Sequence, residues 1–450
     1  MKINNKFVCA LTLVAAAFFL NGCSSGDDNG DNSTDDGNTT PVTIDSTIKL
    51  TDTPVGYASL GTSYTTSGTQ TVVTTRAELL SALSKGGVII IDGMIDMSEG
   101  KLWASGSNSM STATTALDSF VTSTVSTYSN YADWVDKYTA ACSTTTEDGD
   151  SESTTKSSLY DDLWKLNKAY GNLIQLTISK DGTTLIGKDE NAGIRGGSIQ
   201  INGKKNIIIR NLTIQDSCDP FPHHEADDGY NAQWDGINIQ GSSSNIWIDH
   251  CTFEDTLTLA KTTNTTKEKW QIFDGLCDMK SSSTNITVSN CHFKNHDKTM
   301  LIGSSDSDGD NSKRFVSLIG NYFENCGQRL PMVRNSTIHI LNNYYVSSGS
   351  PYSSQSCVNA RKNAIVYAEN NYFDSGCKYS FNTASSDTTP LLHLSGNAGS
   401  KASSTSLASG VSTDSVLFST LNKYSYTPKS ASDAKAYVTA NAGAGCTLGE

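Results

Sequence analysis

Three aspartates are the first candidates for chemistry in this chain of 450 residues. Asp235 and Asp274 are 39 residues apart, and Asp278 comes four residues after Asp274. In a fold whose successive turns take that many residues, the three carboxylates meet on one face. Oxygen ligands of this kind bind a hard cation, which favours Ca²⁺ over Zn²⁺. The spacing alone is also typical of three solvated aspartates at turns.

Basic residues follow the acidic group along the chain. Lys298 comes 24 residues after Asp274, and the segment Arg329-Leu-Pro-Met-Val-Arg334 begins and ends with arginine. A basic trio beside an acidic group suits a polyanion that is held partly by a bridging cation and partly by Lys and Arg. Taken singly, each basic residue is better explained as an ordinary surface charge with a charged neighbour than as a residue that binds a polyanion.

The elements that would position these residues are repetitive from about Leu176 onwards. Six strand-and-turn segments end at residues spaced by 39, 40, 30, 22 and 28: Ile214, Phe253, Phe293, Phe323, Tyr345 and Phe373. The unit recurs while its loops vary in length, which predicts an all-β fold, a parallel β-helix whose equivalent side chains stack from coil to coil. A propeller or a helical solenoid would keep a tighter period.

A second column lies two residues before the first and contains Leu212, Cys251, Cys291, Asn321, Asn343 and Asn371. Stacked asparagines at a turn are expected to hydrogen-bond from coil to coil. In the same column, Cys251 and Cys291 would be neighbours. We expect free buried thiols there rather than a disulfide, because a cysteine packs well as a small apolar residue.

Residues 101–170 break the repeat and predict a helical insertion that covers one end or flank of the body. Apolar residues between Leu117 and Tyr138 recur at helical spacing, and Leu159, Leu163 and Leu166 predict a second helix. Shorter elements are predicted elsewhere: a strand at Thr71–Thr75, a helix at Arg76–Lys85 before Gly86-Gly87, a strand at Val88–Ile91 and a helix at Ser430–Ala444.

The N-terminus has the pattern of a bacterial export signal. Residues 1–22 combine Lys2 and Lys6 with an apolar run that is too short to span a membrane stably. Leu20-Asn-Gly-Cys23 resembles a lipobox, so Cys23 is expected to carry a lipid; an ordinary secretory signal is the alternative. Residues 23–54 predict a flexible acidic tether.

The tether resembles the acidic export tag of surface lipoproteins of the Bacteroides group, although a mere spacer would have a similar composition. We therefore expect an outer-membrane lipoprotein exposed at the cell surface, or otherwise a periplasmic or secreted protein. Its only membrane contact would be the lipid anchor. The folded domain would then comprise residues 55–450.

Composition narrows the classes of protein. Charged residues make up 18% and hydrophobic residues 36%, which suits short strands and polar turns better than a doubly wound enzyme. The net charge of −13 argues against nucleic acid as a partner. Eleven cysteines, of which Cys9 and Cys23 lie in the signal region, leave an odd number without a CxxC pair, which predicts mostly free or locally paired thiols.

Five ordered motifs then resemble the pectate lyase family with a parallel β-helix, polysaccharide lyase family 1. They are Asn231-Ala-Gln-Trp-Asp-Gly236, Trp247-Ile-Asp-His250, Asp274-Gly-Leu-Cys-Asp278, His296-Asp-Lys-Thr-Met-Leu-Ile-Gly303 and Arg329-Leu-Pro-Met-Val-Arg334. The likeness runs from about Val55 to Gly445, apart from the insertion. The order of all five motifs makes it specific, since Trp-Ile-Asp-His alone would not be.

The resemblance implies a role for each candidate: Asp235, Asp274 and Asp278 as calcium ligands, Lys298 and Arg334 as substrate-binding residues, and Arg329 as the catalytic base. It also implies that Asp249 and His250 are a structural signature on the far side of the coil. One departure is Gln233, which stands where some members of the family have another acid. This departure is expected to weaken the affinity of the resting site for calcium.

The chemistry implied is calcium-dependent β-elimination on polygalacturonate, which leaves 4,5-unsaturated oligogalacturonides, carried out by a monomer. Arginine almost never gives up its proton, so Arg329 would need surrounding positive charge and a high optimum pH to act as a base. A polygalacturonase would instead need paired carboxylates for acid and base, and the Asn-Thr-Asp and Gly-His-Gly signatures of that family are missing. A pectin lyase and a non-catalytic glycan-binding lipoprotein are further candidates for the function.

Overall fold

The computed structural model describes residues 42–62, 64, 68–100, 110–142, 157–225, 229–257 and 270–449. All of them belong to one unit, Pro41–Glu450. The predicted export signal, Cys23 and the first part of the predicted tether lie outside the described residues.

Three parallel sheets build the body, and in each sheet the neighbouring strands come from successive turns of the chain. The nine-stranded sheet contains β5 (Gln175–Thr177), β8 (Ser198–Asn202), β13 (Ile237–Gln240), β16 (Cys277–Met279), β19 (Leu301–Ile302), β22 (Met332–Val333), β25 (Val358–Ala360), β28 (Phe381–Thr383) and β30 (Thr405–Ser406). The eight-stranded sheet contains β4 (Met94–Asp96), β7 (Gly193–Arg195), β10 (Thr213–Gln215), β15 (Thr252–Glu254), β18 (His292–Lys294), β21 (Tyr322–Glu324), β24 (Tyr344–Val346) and β27 (Tyr372–Phe373).

The eleven-stranded sheet completes the coil. It contains β2 (Gln70–Val73), β3 (Val88–Ile91), β6 (Thr184–Gly187), β9 (Lys205–Arg210), β14 (Ser244–Asp249), β17 (Thr284–Ser289), β20 (Phe315–Ile319), β23 (Thr337–Leu341), β26 (Ile365–Glu369), β29 (Leu391–Ser395) and β31 (Ser412–Asp414). Two strand pairs stand apart: β1 (Thr47–Lys49) with β32 (Thr447–Gly449), and the antiparallel hairpin β11 (His223–Glu225) with β12 (Gly229–Asn231). The predicted right-handed parallel β-helix is confirmed.

The aromatic column predicted from the repeat lies in the eight-stranded sheet, where its members pair in register. Ile214 pairs with Phe253, and each later member of the column pairs with the next one. The rings stack at centroid distances of 4.7 Å for Phe253 with Phe293 and 4.8 Å for Phe323 with Tyr345. Such buried, offset-stacked rings fill the narrow core between the sheets.

The asparagine column is also confirmed, and it continues one coil further than predicted. The Nδ2 of Asn321 donates to Oδ1 of Asn343 at 2.9 Å, and Asn343 donates in the same way to Asn371 at 3.0 Å. Asn371 then donates to Asn397 at 2.9 Å. Each side chain replaces water at a turn that water does not reach.

The cysteines among the described residues form no disulfide, as expected for Cys251 and Cys291. All nine are buried: Cys142, Cys218, Cys251, Cys277, Cys291, Cys326, Cys357, Cys377 and Cys446. They act as small apolar residues in the core.

The helices match the sequence in part. Helix α1 (Arg76–Lys85) begins with a capping box formed by Thr75 and Glu78, and α5 (Ala431–Asn441) buries Ala431, Ala434 and Val438 as predicted. The described part of the insertion contains three helices rather than two: α2 (Met110–Thr124), α3 (Tyr131–Cys142) and α4 (Ser157–Ile174). The apolar run that predicted one helix is divided before Asn130, whose Oδ1 accepts the backbone N–H of Asp133 at 2.7 Å.

Folded structure begins before residue 55, so the tether boundary at residue 54 is placed too late. Strand β1 pairs in parallel with β32, and Oδ2 of Asp52 lies 3.2 Å from Nη1 of Arg210. The segment has no local sign of this pairing, because the partner strand is contributed by the other end of the chain. No helix among the described residues has the length and apolar content needed to cross a bilayer.

The insertion packs beside the nine-stranded sheet. Trp134, Tyr138 and Tyr170 share one buried apolar cluster with Phe221 and Trp270. The last two lie in the segments that lead into β13 and β16. The insertion therefore supports the loops at one edge of that sheet, where the candidate site lies.

Candidate active site

The candidate residues line the edge of four neighbouring strands in the nine-stranded sheet. Asp235 precedes β13, and Lys298 precedes β19. Asp274 precedes β16, and Asp278 lies within it. Arg329 precedes β22, and Arg334 follows it. Because the strands are parallel neighbours, residues near their starts stack along one side of the coil. The fold thus brings together all six residues predicted from the sequence.

Asp235 and Asp278 face each other across Gly275. A Cβ atom on Gly275 would lie 2.3 Å from Oδ1 of Asp278 and 2.8 Å from Oδ1 of Asp235. Only glycine leaves room for both carboxylates. The backbone N–H of Gly275 donates to Oδ1 of Asp235 at 3.0 Å, and the N–H of Leu301 donates to Oδ1 of Asp278 at 2.9 Å.

Lys280 is a part of this site that sequence reasoning missed. Its Nζ donates to Oδ2 of Asp235 at 2.8 Å and lies 3.1 Å from Oδ2 of Asp278. Burial alone would lower the pKa of Lys280, but the charges of Asp278 and Asp235 raise it above its ordinary value. The sequence contained a signal for the contact with Asp278. Side chains two residues apart on a strand point to the same face, and Asp278 and Lys280 are two residues apart.

The carboxyl groups are held in an unfavourable electrostatic environment. Burial and the neighbouring charge of Asp278 raise the pKa of Asp235 well above its ordinary value. The same two causes raise the pKa of Asp274, although Lys298, Lys280 and Arg329 oppose the shift. Carboxylates that repel one another in a buried site are stabilised by a bound cation.

The donors are of the type that suits a hard cation, because they are buried carboxylate oxygens with incomplete compensation. Among the described residues, no three His, Cys, Asp or Glu side chains are placed closely enough to hold a metal ion together. Lys280 occupies the side of Asp235 and Asp278 on which their Oδ2 atoms lie. A cation bound by these aspartates would therefore share them with the lysine ammonium group or displace it.

Lys298 connects the acidic group to the loop before β13. Its Nζ donates to Oδ1 of Asn231 at 2.5 Å and lies 3.8 Å from Oδ1 of Asp274. The side chain is almost fully buried. A positive charge is thus fixed beside the carboxylates, as the sequence predicts.

His296 and Asp255 position this part of the site, and neither was predicted to contribute. The Nδ1 of His296 lies 2.6 Å from Oδ2 of Asp255, and its Nε2 lies 2.6 Å from the carbonyl oxygen of Asp274. The carbonyl oxygen of Asp274 can only accept, so Nε2 of His296 donates to it. Burial lowers the pKa of His296, but Asp255 outweighs burial and raises it overall. The pair fixes the backbone that carries Asp274.

Arg329 adopts a left-handed backbone conformation, with φ of 59°. Its carbonyl oxygen accepts the N–H of Met300 at 2.8 Å, which holds this conformation in place. The buried Nε of Arg329 has no hydrogen-bond acceptor among the described residues. A strained residue with an uncommitted polar side chain is typical of a functional site.

Arg334 is held by the loop after β19. Its Nε donates to Oδ1 of Asp306 at 3.2 Å, and its Nη1 donates to the carbonyl oxygen of Gly303 at 3.2 Å. Burial, followed by the charge of Arg361, lowers the pKa of Arg334 below its ordinary value. Asp306 is largely exposed, so this ion pair is easily exchanged for a substrate carboxylate.

Gln233, the departure from the family pattern, is exposed and contributes through its backbone. Its N–H donates at 3.0 Å to Oδ2 of Asp219, whose Oδ1 accepts the N–H of Phe221 at 2.9 Å. Burial raises the pKa of Asp219 to about 7. Asp219 therefore shapes the loop that leads to Asp235.

Asp249 and His250 lie away from this edge, as the resemblance implies. Asp249 ends β14 in the eleven-stranded sheet, and its Oδ2 lies 2.7 Å from Nδ1 of His250 and 2.9 Å from Nη2 of Arg210. Both side chains are buried. Their contacts are structural.

Comparison with known proteins agrees with this arrangement. The family model described as pectate lyase matches residues 165–447. The chain belongs to the pectate lyase family. The match covers every candidate residue of the site, and it begins inside α4.

Two curated members of the pectate lyase family illustrate the sequence similarity. Pectate lyase E of Dickeya chrysanthemi is 43% identical over 167 residues, which are 36% of this chain and 43% of that protein. A pectate lyase of Bacillus subtilis (strain 168) is 38% identical over 203 residues, which are 43% of this chain and 47% of that protein. The matched stretches span less than half the length of these relatives.

Solved structures of pectate lyases share the fold over more of the chain. A pectate lyase studied for substrate specificity and an anti β-elimination mechanism has a TM-score of 0.69 and 27% identity. A pectate lyase bound to a hexasaccharide has a TM-score of 0.69 and 28% identity. Each comparison covers 87% of this chain and 96% of the solved one.

Proposed function

We propose that this chain is a calcium-dependent pectate lyase that cleaves polygalacturonate by β-elimination to 4,5-unsaturated oligogalacturonides. The observation that carries the proposal is the stacking of three carboxylates, a buried lysine and two arginines along one sheet edge. Family membership supports it, and one solved relative is a pectate lyase bound to a hexasaccharide. The substrate is a polyanion, which the basic residues suit and the acidic residues would bind through a cation.

The aspartates Asp235, Asp274 and Asp278 would hold calcium. When bound, calcium supplies charge that neutralises the sugar carboxylate and makes the proton on C5 more acidic. Lys298, fixed by Asn231, and Arg334, held by an exposed aspartate and one backbone carbonyl, bind carboxylates of the chain. These contacts orient one sugar with its C5 proton towards Arg329.

Arg329 removes the C5 proton. The electron pair of the C5–H bond forms the C4–C5 double bond, the C4–O bond breaks, and the leaving oxygen takes a proton from water. A neutral guanidine is needed to accept the proton at the moment of transfer. The uncommitted Nε of Arg329 and its fixed backbone favour this role over a structural one.

The test is the appearance of ultraviolet-absorbing unsaturated product from polygalacturonate, with and without a calcium chelator. The wild-type chain is expected to be active with calcium and inactive in excess chelator. Asp235→Ala is expected to lose activity at low calcium, with partial recovery in excess. Full wild-type activity in the chelator would overturn the calcium part, and release of saturated fragments only would favour a hydrolase.

The same substitution at each of the two arginines tests the mechanism. Arg329→Lys is expected to lower kcat by several orders of magnitude with little change in binding, because lysine does not reach C5 with the same geometry. Arg334→Lys is expected to raise KM, with a smaller fall in kcat. Circular dichroism checks that both variants fold. Similar, mild losses in both would mean that neither arginine is the base, and would point to Lys298.

We also propose that the protein is a monomeric surface lipoprotein anchored through Cys23. The support is the lipobox-like sequence and the acidic residues that follow it. Labelling with palmitate in the native host is expected for the wild type, and Cys23→Ala is expected to lose the label and leave the membrane fraction. An unlabelled wild type would overturn the anchor, and resistance to protease added to whole cells would overturn surface exposure.

A further inference from the structure

Helix α4 presents an indole to solvent beside the candidate active site. Trp164 has 54% of its surface exposed, whereas Trp134, Trp247 and Trp270 are buried. An exposed tryptophan offers a rigid apolar face with a polar edge, which is the surface that binding sites use most effectively. The conformation of this side chain is restrained, because its ring meets the ring of His223 edge-on at 5.1 Å.

The helix connects Trp164 to the site along one face. Residues Trp164, Lys168 and Gly171 follow the spacing i, i+4, i+7, so they lie in a row. A Cβ atom on Gly171 would lie 2.8 Å from Cη2 of Trp234, which shows that the indole of Trp234 rests on the helix there. Trp234 precedes Asp235. The exposed indole therefore lies about 10 Å along the helix from the start of the site.

A second connection runs through the hairpin. His223 of β11 pairs with Asn231 of β12, and Asn231 accepts the hydrogen bond of Lys298. The hairpin therefore links His223, which contacts the ring of Trp164, to Asn231, which binds the buried ammonium group of Lys298. Both connections place Trp164 at the side of the site on a rigid support.

We propose that Trp164 and Lys168 form a distal subsite that binds the polygalacturonate chain a few sugar units away from the cleavage position. The indole face stacks on the C–H face of one galacturonate, and the exposed ammonium group of Lys168 pairs with a carboxylate of the chain. This inference rests on the proposed function. It assigns the insertion a role in selecting long chains.

The test compares long polygalacturonate with trigalacturonate, which offers at most two sugars beyond the one at the cleavage position. Trp164→Ala is expected to lower kcat/KM about tenfold on the long substrate, and to leave trigalacturonate unaffected. Trp164→Phe keeps an aromatic face and is expected to recover most of the loss. Leu417→Ala removes another exposed apolar side chain, beyond the eleven-stranded sheet, and serves as the control.

The outcomes separate this proposal from the proposed function. Equal losses on both substrates would show that Trp164 acts through folding of the insertion, and an unchanged long-substrate rate would overturn the subsite. If the wild type yields no unsaturated product, the proposed function fails. In that case, calorimetry measures the affinity of the wild type and of Trp164→Ala for long polygalacturonate. Equal affinities would overturn the subsite.

Discussion

Lys280 contacts the carboxylates of two proposed calcium ligands. Its ammonium group reaches Oδ2 of Asp235 at 2.8 Å and Oδ2 of Asp278 at 3.1 Å. The side chain is partly accessible, so it has space to move aside. The ammonium group of Lys280 already neutralises part of the negative charge of the two aspartates. Less negative charge is then left for a bound calcium ion to neutralise. We infer that Lys280 stabilises the metal-free protein and weakens calcium binding.

Removal of this charge gives a prediction at the residue scale. Lys280→Met keeps the length of the side chain and is expected to bind calcium about tenfold more tightly, because Asp235 and Asp278 lose a competing cation. It is also expected to unfold at a lower temperature without calcium. Calorimetric titration with calcium chloride and thermal unfolding measure the two effects.

Lys313→Met provides the control, because Lys313 is exposed and its ammonium group pairs with Asp310 on the surface. This variant is expected to bind calcium as the wild type does. Unchanged or weaker affinity in Lys280→Met would mean that the ammonium group helps to hold the site together rather than competing for it.

At the scale of the element, the asparagine column joins one coil to the next. Asn343 is fully buried and uses both ends of its amide. It donates to the carbonyl oxygen of Leu318 and to Asn371, and it accepts the backbone N–H of Asn321 at 2.8 Å. Loss of one member therefore leaves polar groups on three coils without partners.

Asn343→Leu is expected to lower the free energy of unfolding by about 3 kcal/mol, the cost of several buried polar groups left unsatisfied. Asn397→Leu, at the open end of the column, removes the same amide in a more exposed position and is expected to cost less. Urea unfolding followed by circular dichroism measures both. A loss in Asn343→Leu that does not exceed that in Asn397→Leu would contradict the cooperative role of the column.

Elements with a local signature could be predicted from the sequence, and elements defined by distant partners could not. The repeat predicted the register from Ile214 to Phe373, because each coil carries its own strand, turn and aromatic residue. Asn397 was missed because its segment has Ala398, which pairs with Tyr372, where the three preceding segments have tyrosine. Strand β1 was missed because it pairs with the opposite end of the chain.

The site follows the same rule. Spacing by one coil predicted that Asp235 and Asp274 approach each other, but it did not predict what lies between the carboxylates. The spacing of Lys280 from Asp278 indicated a shared face. The contacts of Lys280 with Asp235 and of His296 with Asp255 instead run across coils whose loops differ in length, so spacing along the chain carries little information about them. The roles of the arginines rest on resemblance and stay predictions.

At the scale of the whole molecule, Asp249 joins the N-terminal segment to the coils. Its Oδ2 contacts Arg210, which also donates to the carbonyl oxygen of Lys49, and its Oδ1 accepts the hydroxyl of Ser289 at 2.6 Å. Burial alone would raise the pKa of Asp249, but His250 and Arg210 outweigh it and lower the pKa to about 2. The carboxylate is therefore a source of pH-dependent stability.

The sign of that dependence follows from the two states. The folded pKa of about 2 lies below the ordinary value of 3.8, so the stabilisation is complete above 3.8 and is lost as the pH falls towards 2. Asp249→Asn is expected to cost about 3 kcal/mol at neutral pH, because buried Arg210 then loses its buried carboxylate partner and keeps only the more exposed Asp52. Its stability is also expected to fall less than that of the wild type between pH 3.8 and pH 2.

Asp310 gives a matched control for this last prediction, because its pKa is also lowered to about 2, by hydrogen bonds from Ser312, but the group is fully exposed. Asp310→Asn is expected to have a small effect at any pH, since solvent screens an exposed carboxylate. Urea midpoints measured at several pH values compare the two variants. Equal effects would show that burial of Asp249 does not amplify its charge interactions, and would leave the packing of the coils as the main link to the N-terminal segment.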